Sequence, residues 1–249
     1  MRGDYDARIA RAKHLALKLP ASAHLLDFYA NLAALQKRIF KNLPSTPPSA
    51  HFPALLDLVK LHGSEPLIAY ARDHLETPRQ LETLLTSRDQ RKRSVSDIPQ
   101  SPEPRFFARV LLQPQAEHQT AKSPIPAAAS TPTCPQCDST PVAAILRGEG
   151  DGAKRSLLCS LCATEWPFRR VLCPNCQEEQ KDQLPIYTAD AFPHVRVEAC
   201  DTCRTYIKSV DLTKDGFAIP EVDELAAVAL DVWSEDHGYT KLETNILGM

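Results

Sequence analysis

Eight cysteines stand out for their spacing: Cys134, Cys137, Cys159, Cys162, Cys173, Cys176, Cys200 and Cys203, each half of a C-x-x-C pair. None occurs in residues 1–133. A C-x-x-C turn aims two thiolates at one ion, and two such turns brought together complete a tetrahedral site. The gaps between pairs are 21, 10 and 23 residues. The two long gaps each hold a strand–turn–strand pattern, whereas Ala163–Leu172 suffices only to cross from one module to the next. The spacing therefore predicts Cys134, Cys137, Cys159 and Cys162 on one ion, and Cys173, Cys176, Cys200 and Cys203 on a second. A cross-braced pairing, first pair with third and second with fourth, is the alternative. Four disulfides would need an oxidising compartment. A redox-active C-x-x-C would sit at a helix N-terminus after a strand, a context none of these pairs shows.

Soft sulfur quartets suit Zn(II) and mononuclear iron alike, so the expected cofactors are two ions, Fe or Zn, each held by four cysteines. Modules of about 40–45 residues are too small to offset chain entropy with an apolar core, and ligation supplies roughly 10–16 kcal/mol of folding energy to such units. The residues after the pairs are Asp138, Ala163, Gln177 and Arg204. Glycine, which would ease a positive-φ turn, is absent from all four. Arg169, Arg170, Arg204 and Lys208 lie close to ligands in sequence, read as solvated side chains or as cations that offset thiolate charge. Trp166 and Phe168, beside Arg169 and Arg170, form a candidate partner contact, since aromatic and arginine side chains dominate interface energetics. Trp166 otherwise covers its own metal site.

The elements that position these groups differ between the two halves. From Asp4 to Leu19, Ile9, Ala12, Leu15, Ala16 and Leu19 recur at helical steps. Ser22 is a plausible N-cap for a second helix, with Leu25, Tyr29, Leu32, Gln36, Ile39 and Leu43 as its stripe. Pro44, Pro47 and Pro48 stop it. Further helices are expected over Pro53–Leu61 (closed by Gly63), Glu65–His74, Pro78–Ser87 and Glu103–His118, the last burying Phe106, Phe107, Val110 and Leu111. Arg88, Arg91, Lys92 and Arg93 form a short basic run, read as a solvated turn or a docking patch. Ser123–Thr133 is Pro, Ala, Ser and Thr save Ile125, a linker composition. Beyond it, Val142–Leu146 and Ser156–Leu158 flank a glycine-rich hairpin turn, and Leu184–Thr188 and Val195–Ala199 form a second pair. A closing helix runs from about Val222 to His237, with Leu225, Val228, Ala229, Val232 and Trp233 on one side, and stops at Gly238.

The expected architecture is α+β: an N-terminal all-helical domain (1–120), a linker (121–133), two tandem rubredoxin-like or zinc-ribbon modules (134–172 and 173–220), and a C-terminal helix and tail (221–249). Composition narrows the function. With 29 Lys and Arg against 31 Asp and Glu, the formal charge of −2 argues against a protein built mainly for nucleic acid or anionic membrane. No apolar run approaches the roughly 18–20 residues needed to span a bilayer, and the polar first residues predict no secretory signal. Catalytic zinc keeps an open coordination position, whereas two closed quartets consume every cysteine. The eight histidines form no H-E-x-x-H pattern, and no nucleophile elbow, P-loop or dinucleotide fingerprint appears. The residues point to a metal-stapled protein-interaction module rather than an enzyme. A ribbon-type nucleic-acid binder or a general interaction module with structural zinc is the alternative.

The cysteine half resembles the formate dehydrogenase accessory proteins of the FdhE type. The matching residues are Cys134-Pro135-Gln136-Cys137, Ser139, Pro141-Val142, Leu158-Cys159-Ser160-Leu161-Cys162-Ala163-Thr164-Glu165-Trp166, Arg170 and Cys173-Pro174-Asn175-Cys176. The match continues through Glu198, Cys200, Cys203, Thr205-Tyr206-Ile207-Lys208, Asp223-Glu224-Leu225-Ala226, Leu230-Asp231, Gly238-Tyr239 and Asn245. The helical half resembles the family more loosely, through Leu26, Phe28-Tyr29-Ala30, Leu32 and Leu35-Gln36. The family often carries glycine after the first and last pairs, where this chain has Asp138 and Arg204. The resemblance implies a cytoplasmic assembly factor, with iron at the cysteine pairs, needed for active respiratory formate dehydrogenase. The implied partner is the immature catalytic subunit. Tyr206 and Lys208 join Trp166, Phe168, Arg169 and Arg170 as expected partner contacts.

Overall fold

A computed structural model describes residues 3–75, 101–121, 123, 130–150 and 152–249. The expected helix over Pro78–Ser87, the basic run and most of the linker lie outside these residues. The chain divides into two compact units, Met1–Ser123 with Ile246–Gly248, and Pro124–Asn245 with Met249.

The first unit is helical among the described residues: α1 (Tyr5–Lys18), α2 (Ala23–Asn42), α3 (Phe52–His62), α4 (Glu65–His74) and α5 (Pro102–Thr120). Asp4 caps α1, its carboxylate accepting the Ala7 N–H at 3.1 Å. Ser22 sits at the N-cap of α2 but makes no side-chain cap bond. The buried stripe of α2 runs through Leu26, Leu32, Leu35 and Ile39, while Leu25 is only half-buried. On α1, Tyr5, Arg8, Ala12 and Leu15 face inward and Ile9 is half-buried. Arg8 belongs there because its guanidinium meets Glu117 at 2.8 Å, both side chains fully enclosed.

The length of α5 poses a local problem. Pro114 lies inside it, and proline has no N–H to give the carbonyl four residues back. That carbonyl, on Val110, instead accepts the Gln36 side-chain amide of α2 at 3.2 Å. The same Nε2 reaches Gln113 at 3.2 Å, and Gln113 in turn donates to Glu117 at 3.2 Å. A polar chain from Gln36 to Arg8 thus threads the helical core with its groups partnered.

The second unit is built on one sheet: β1 (Pro141–Glu149), β2 (Gly152–Cys159), β3 (Glu165–Pro167), β4 (Ile186–Thr188), β5 (Val195–Cys200), β6 (Thr205–Asp211) and β7 (Thr240–Lys241). Both expected hairpins form, antiparallel β1–β2 and β4–β5. Each module runs hairpin, knuckle, third strand, so β4-β5-β6 repeats β1-β2-β3. The strand order β3-β2-β1-β6-β5-β4 joins the repeats head to tail. The junction is parallel, Ala143–Leu146 of β1 against Lys208–Asp211 of β6. The two ribbons therefore share one sheet.

The single closing helix is corrected to two, α6 (Pro220–Ala226) and α7 (Val228–Asp236), broken at Ala227. Lys208 supplies the reason. Its buried ammonium donates to the carbonyls of Glu224 at 2.5 Å and Ala227 at 3.2 Å, which satisfies acceptors at the helix end. The break rotates the second segment, so α7 buries Leu230, Asp231 and Ser234, while Ala229 and Val232 face solvent.

Gln36→Leu keeps the apolar volume of α2 but strands the Val110 carbonyl, a loss of about 1–3 kcal/mol for a buried polar group. Urea unfolding of the variant is expected to show that fall in stability; an unchanged midpoint would disprove the bond's role.

Candidate metal centres

Each cysteine pair folds into the same knuckle. The backbone N–H of the fourth residue after the leading cysteine returns to that cysteine's carbonyl: Asp138 to Cys134 at 2.8 Å, Gln177 to Cys173 at 3.1 Å and Arg204 to Cys200 at 2.9 Å. The leading N–H is taken up by the carbonyl of the following residue, Cys134 to Ser139, Cys159 to Thr164 and Cys173 to Glu178, each at 2.9 Å. This closure demands a left-handed residue, and Asp138, Ala163, Gln177 and Arg204 have φ of 57°, 50°, 63° and 56°. Side chains other than glycine pay roughly 1–2 kcal/mol there. The turn in exchange aims main-chain N–H groups at sulfur: Gln136 at Cys134 (3.4 Å), Leu161 and Cys162 at Cys159 (3.3 and 3.4 Å), Asn175 at Cys173 (3.4 Å).

The fold gathers the knuckles in sequential order. Cys134, Cys137, Cys159 and Cys162 form one quartet, and Cys173, Cys176, Cys200 and Cys203 the other. Sequence spacing had left cross-bracing open, and the hairpins settle it, since β2 ends on Cys159 and β5 on Cys200. Close sulfur pairs are 3.4–3.6 Å apart in the first quartet and 3.6–3.7 Å in the second. A disulfide would need about 2.05 Å, and all eight cysteines are free. A tetrahedron with metal–sulfur bonds of about 2.3 Å has edges of about 3.8 Å. The quartets fit a tetrahedral thiophilic ion.

Hydroxyls complete the surroundings. Thr164 lies 3.0 Å from Cys162 sulfur, Thr205 3.0 Å from Cys203 and Ser139 3.4 Å from Cys137. Without a cation the crowded thiols split their titration. Neighbouring sulfurs hold Cys137 and Cys162 below the ordinary thiol range, led in both by Cys134. Cys134 is pushed up, first by Cys137, and burial pushes Cys159 up. In the second quartet, burial lifts Cys173 to about 12. Cys203, despite its own burial, is held down to about 6 by Thr205 and Asn175. An ion that accepts four thiolates removes this conflict.

The same unit holds a buried charge cluster that no sequence pattern announces. Lys208 meets Glu224 at 3.0 Å and Asp231 at 2.6 Å; Lys241 meets the same two carboxylates at 2.5 and 3.1 Å. The Tyr206 hydroxyl donates to Asp231 at 2.9 Å and the Asn245 amide to Glu224 at 3.3 Å. Burial pulls the Lys208 ammonium down, against Glu224 and Asp231. The lysines hold Glu224 below the usual carboxylate range despite its enclosure. A second tie crosses the modules: Arg155 of β2 meets Glu198 of β5 at 2.8 Å and donates to the Arg169 carbonyl at 2.9 Å.

Trp166, Phe168, Tyr206 and Lys208 are thus interior groups, which corrects their expected place on a contact surface. The Trp166 indole donates to the Thr131 carbonyl at 2.9 Å and pins the chain entering the first knuckle, and Phe168 lies 5.2 Å from the Arg155 guanidinium. Arg169 and Arg170 are exposed, the first paired with Glu179 at 2.9 Å, the second donating to the Ala153 carbonyl at 3.3 Å. Arg204 pairs with Asp201 at 3.0 Å and stacks 4.0 Å from the Tyr239 ring. These cations answer carboxylates and carbonyls rather than the sulfurs.

Comparison with known proteins covers both halves. The family models "FdhE, central domain" and "FdhE, C-terminal domain" match residues 133–170 and 171–247, a division close to the boundary between the two ribbons. The "Protein FdhE homolog" of Aquifex aeolicus is 32% identical over 208 residues, 80% of this chain and 69% of that protein. The Escherichia coli protein "Protein FdhE" is 36% identical over 113 residues, 45% of this chain and 36% of its own. The crystal structure of the FdhE protein from Pseudomonas aeruginosa superposes with a TM-score of 0.74 over 99% of this chain and 96% of that one. At 24% identity this shows the common fold.

Two measurements test the centres. Elemental analysis of protein purified without air is expected to find two ions per chain, and replacing Cys137 and Cys159 together to leave one; loss of both would favour cross-bracing. Gln177→Gly should stabilise the loaded protein by about 1 kcal/mol by relieving the left-handed side chain, read as a raised thermal midpoint; a lowered one would show that the knuckle is unstrained.

Proposed function

Since the chain belongs to the FdhE family, we propose that it is a metal-binding accessory factor needed for active respiratory formate dehydrogenase, one that binds the immature catalytic subunit in the cytoplasm. The observation that carries this reading is the pair of complete sulfur quartets on one shared sheet. Each quartet uses all four of its donors on one ion, Fe or Zn, and leaves no protein-vacant position of the kind a hydrolytic zinc requires. Ligation in such a site supplies rigidity, and with iron a one-electron couple.

The chain's own residues support a binding role. The knuckles and the Arg155–Glu198 tie hold both ribbons in register, so a partner would meet a preformed surface and lose little affinity to ordering. Arg169 and Arg170 are the two expected contact residues that reach solvent. They are the proposed polar part of the contact, with the exposed side chains of Val171 and Ile186 in the same unit as its apolar part. No helix among the described residues is long and apolar enough to cross a membrane.

Affinity-tagged protein from cells making respiratory formate dehydrogenase is expected to co-purify with the catalytic subunit, and Cys162→Ser or Cys176→Ser to lose it. Undiminished capture with both quartets destroyed would show that the ribbons do not form the contact.

A further inference from the structure

The two quartets share a backbone but not a setting. In the first, Cys134, Cys159 and Cys162 are buried and Cys137 half-buried; in the second, Cys176 is exposed and Cys203 half-buried. The contrast extends to the turns. Residues 160–163 are all buried, whereas Thr202 and Arg204 face solvent, as do Asn175 through Gln177 around Cys176. The chain leading into the first quartet is pinned by Trp166 on Thr131, and Thr133 donates to Asp138 at 2.6 Å. Cys176 lacks the hydroxyl two residues on that serves Cys137, Cys162 and Cys203; Glu178 stands there, its carboxylate turned to Thr202 at 2.7 Å and to the N–H groups of Glu179 and Gln180.

From this asymmetry we infer that the centres do different work: the Cys134 quartet is a fixed staple, and the Cys173 quartet is an exchange centre whose Cys176 ligand gives way to an external thiolate. The step is a ligand substitution. An incoming thiol loses its proton and bonds the ion, the bond from Cys176 to the ion breaks, and the proton ends on the Cys176 sulfur. The oxidation state of the ion does not change. Three sulfurs, Cys173, Cys200 and Cys203, keep the ion in place throughout, and the exposed turn lets Cys176 swing out without unpairing a strand. Thiolate is the favoured entrant because a soft ion in a sulfur site discriminates against oxygen donors.

The inference rests on the quartets holding metal, and finding two ions per chain tests that premise separately. The full chain, loaded with two Zn(II) and mixed with excess 4-(2-pyridylazo)resorcinol, should release one ion about tenfold or more faster than the other, as accessible thiolates react first. Brief N-ethylmaleimide labelling should mark Cys176 first. In the Co(II)-loaded Cys176→Ala chain, 2-mercaptoethanol should restore the charge-transfer absorption of a four-sulfur site, whereas Cys159→Ala, buried on all sides, should not respond. Rescue by a short cysteine-containing peptide as well would assign the entrant to a protein thiol; rescue by mercaptoethanol alone would assign it to a small one. Equal release of the two ions, or equal rescue of the two variants, overturns the inference. If Cys159→Ala fails to fold, the release rates and labelling order of the unaltered chain decide it.

Discussion

The convergence of four thiols across each hairpin is the constraint on which the second unit depends. Each quartet takes two sulfurs from a knuckle before the hairpin and two from the knuckle that ends its second strand. An ion gripping all four therefore fixes strand register and strand ends together. A single ribbon of this length cannot obtain this from its own apolar burial, and the cores here draw on the shared sheet and the closing helices. The knuckle backbone shows how strongly this closure prevails: four non-glycine residues accept a conformation that glycine would adopt more cheaply.

Once the ribbons are pinned, the remaining polar residues lock them together. Arg155 and Glu198 link the second strands of the two repeats, and Lys208 on β6 anchors the helix break and the tail through Glu224, Asp231 and Lys241. Removing a single partner from such a cluster leaves an uncompensated buried charge, a penalty of about 3–5 kcal/mol. Tyr206, Lys208, Glu224, Asp231 and Asn245 converge on this one cluster.

What the sequence revealed was local, and what it concealed was not. Cysteine spacing, the two hairpins and the proline-bounded helices depend on neighbours along the chain, so the quartets and most helix limits could be read directly. The parallel joining of β1 to β6 could not, since nothing within either strand specifies a partner so far away. The helix break at Ala227 is set by an ammonium from a different strand. Arg8, Arg155, Lys208 and Glu224 read as surface residues by type, and only their distant partners account for their burial. Trp166 and Phe168 were recognisable as important beside the ligands, but their aromatic character alone could not separate interior from interface.

The junction between the repeats also bears on how the protein is made. β1 emerges from the ribosome before the strand that covers its edge, Lys208–Asp211. The first ribbon can gather its four thiols and close its hairpin while Ala143–Leu146 still presents open main-chain amides, an invitation to aggregation. The later-made ribbon thus shields its elder from self-association, and a nascent chain truncated between the two would keep its thiol quartet yet be sticky.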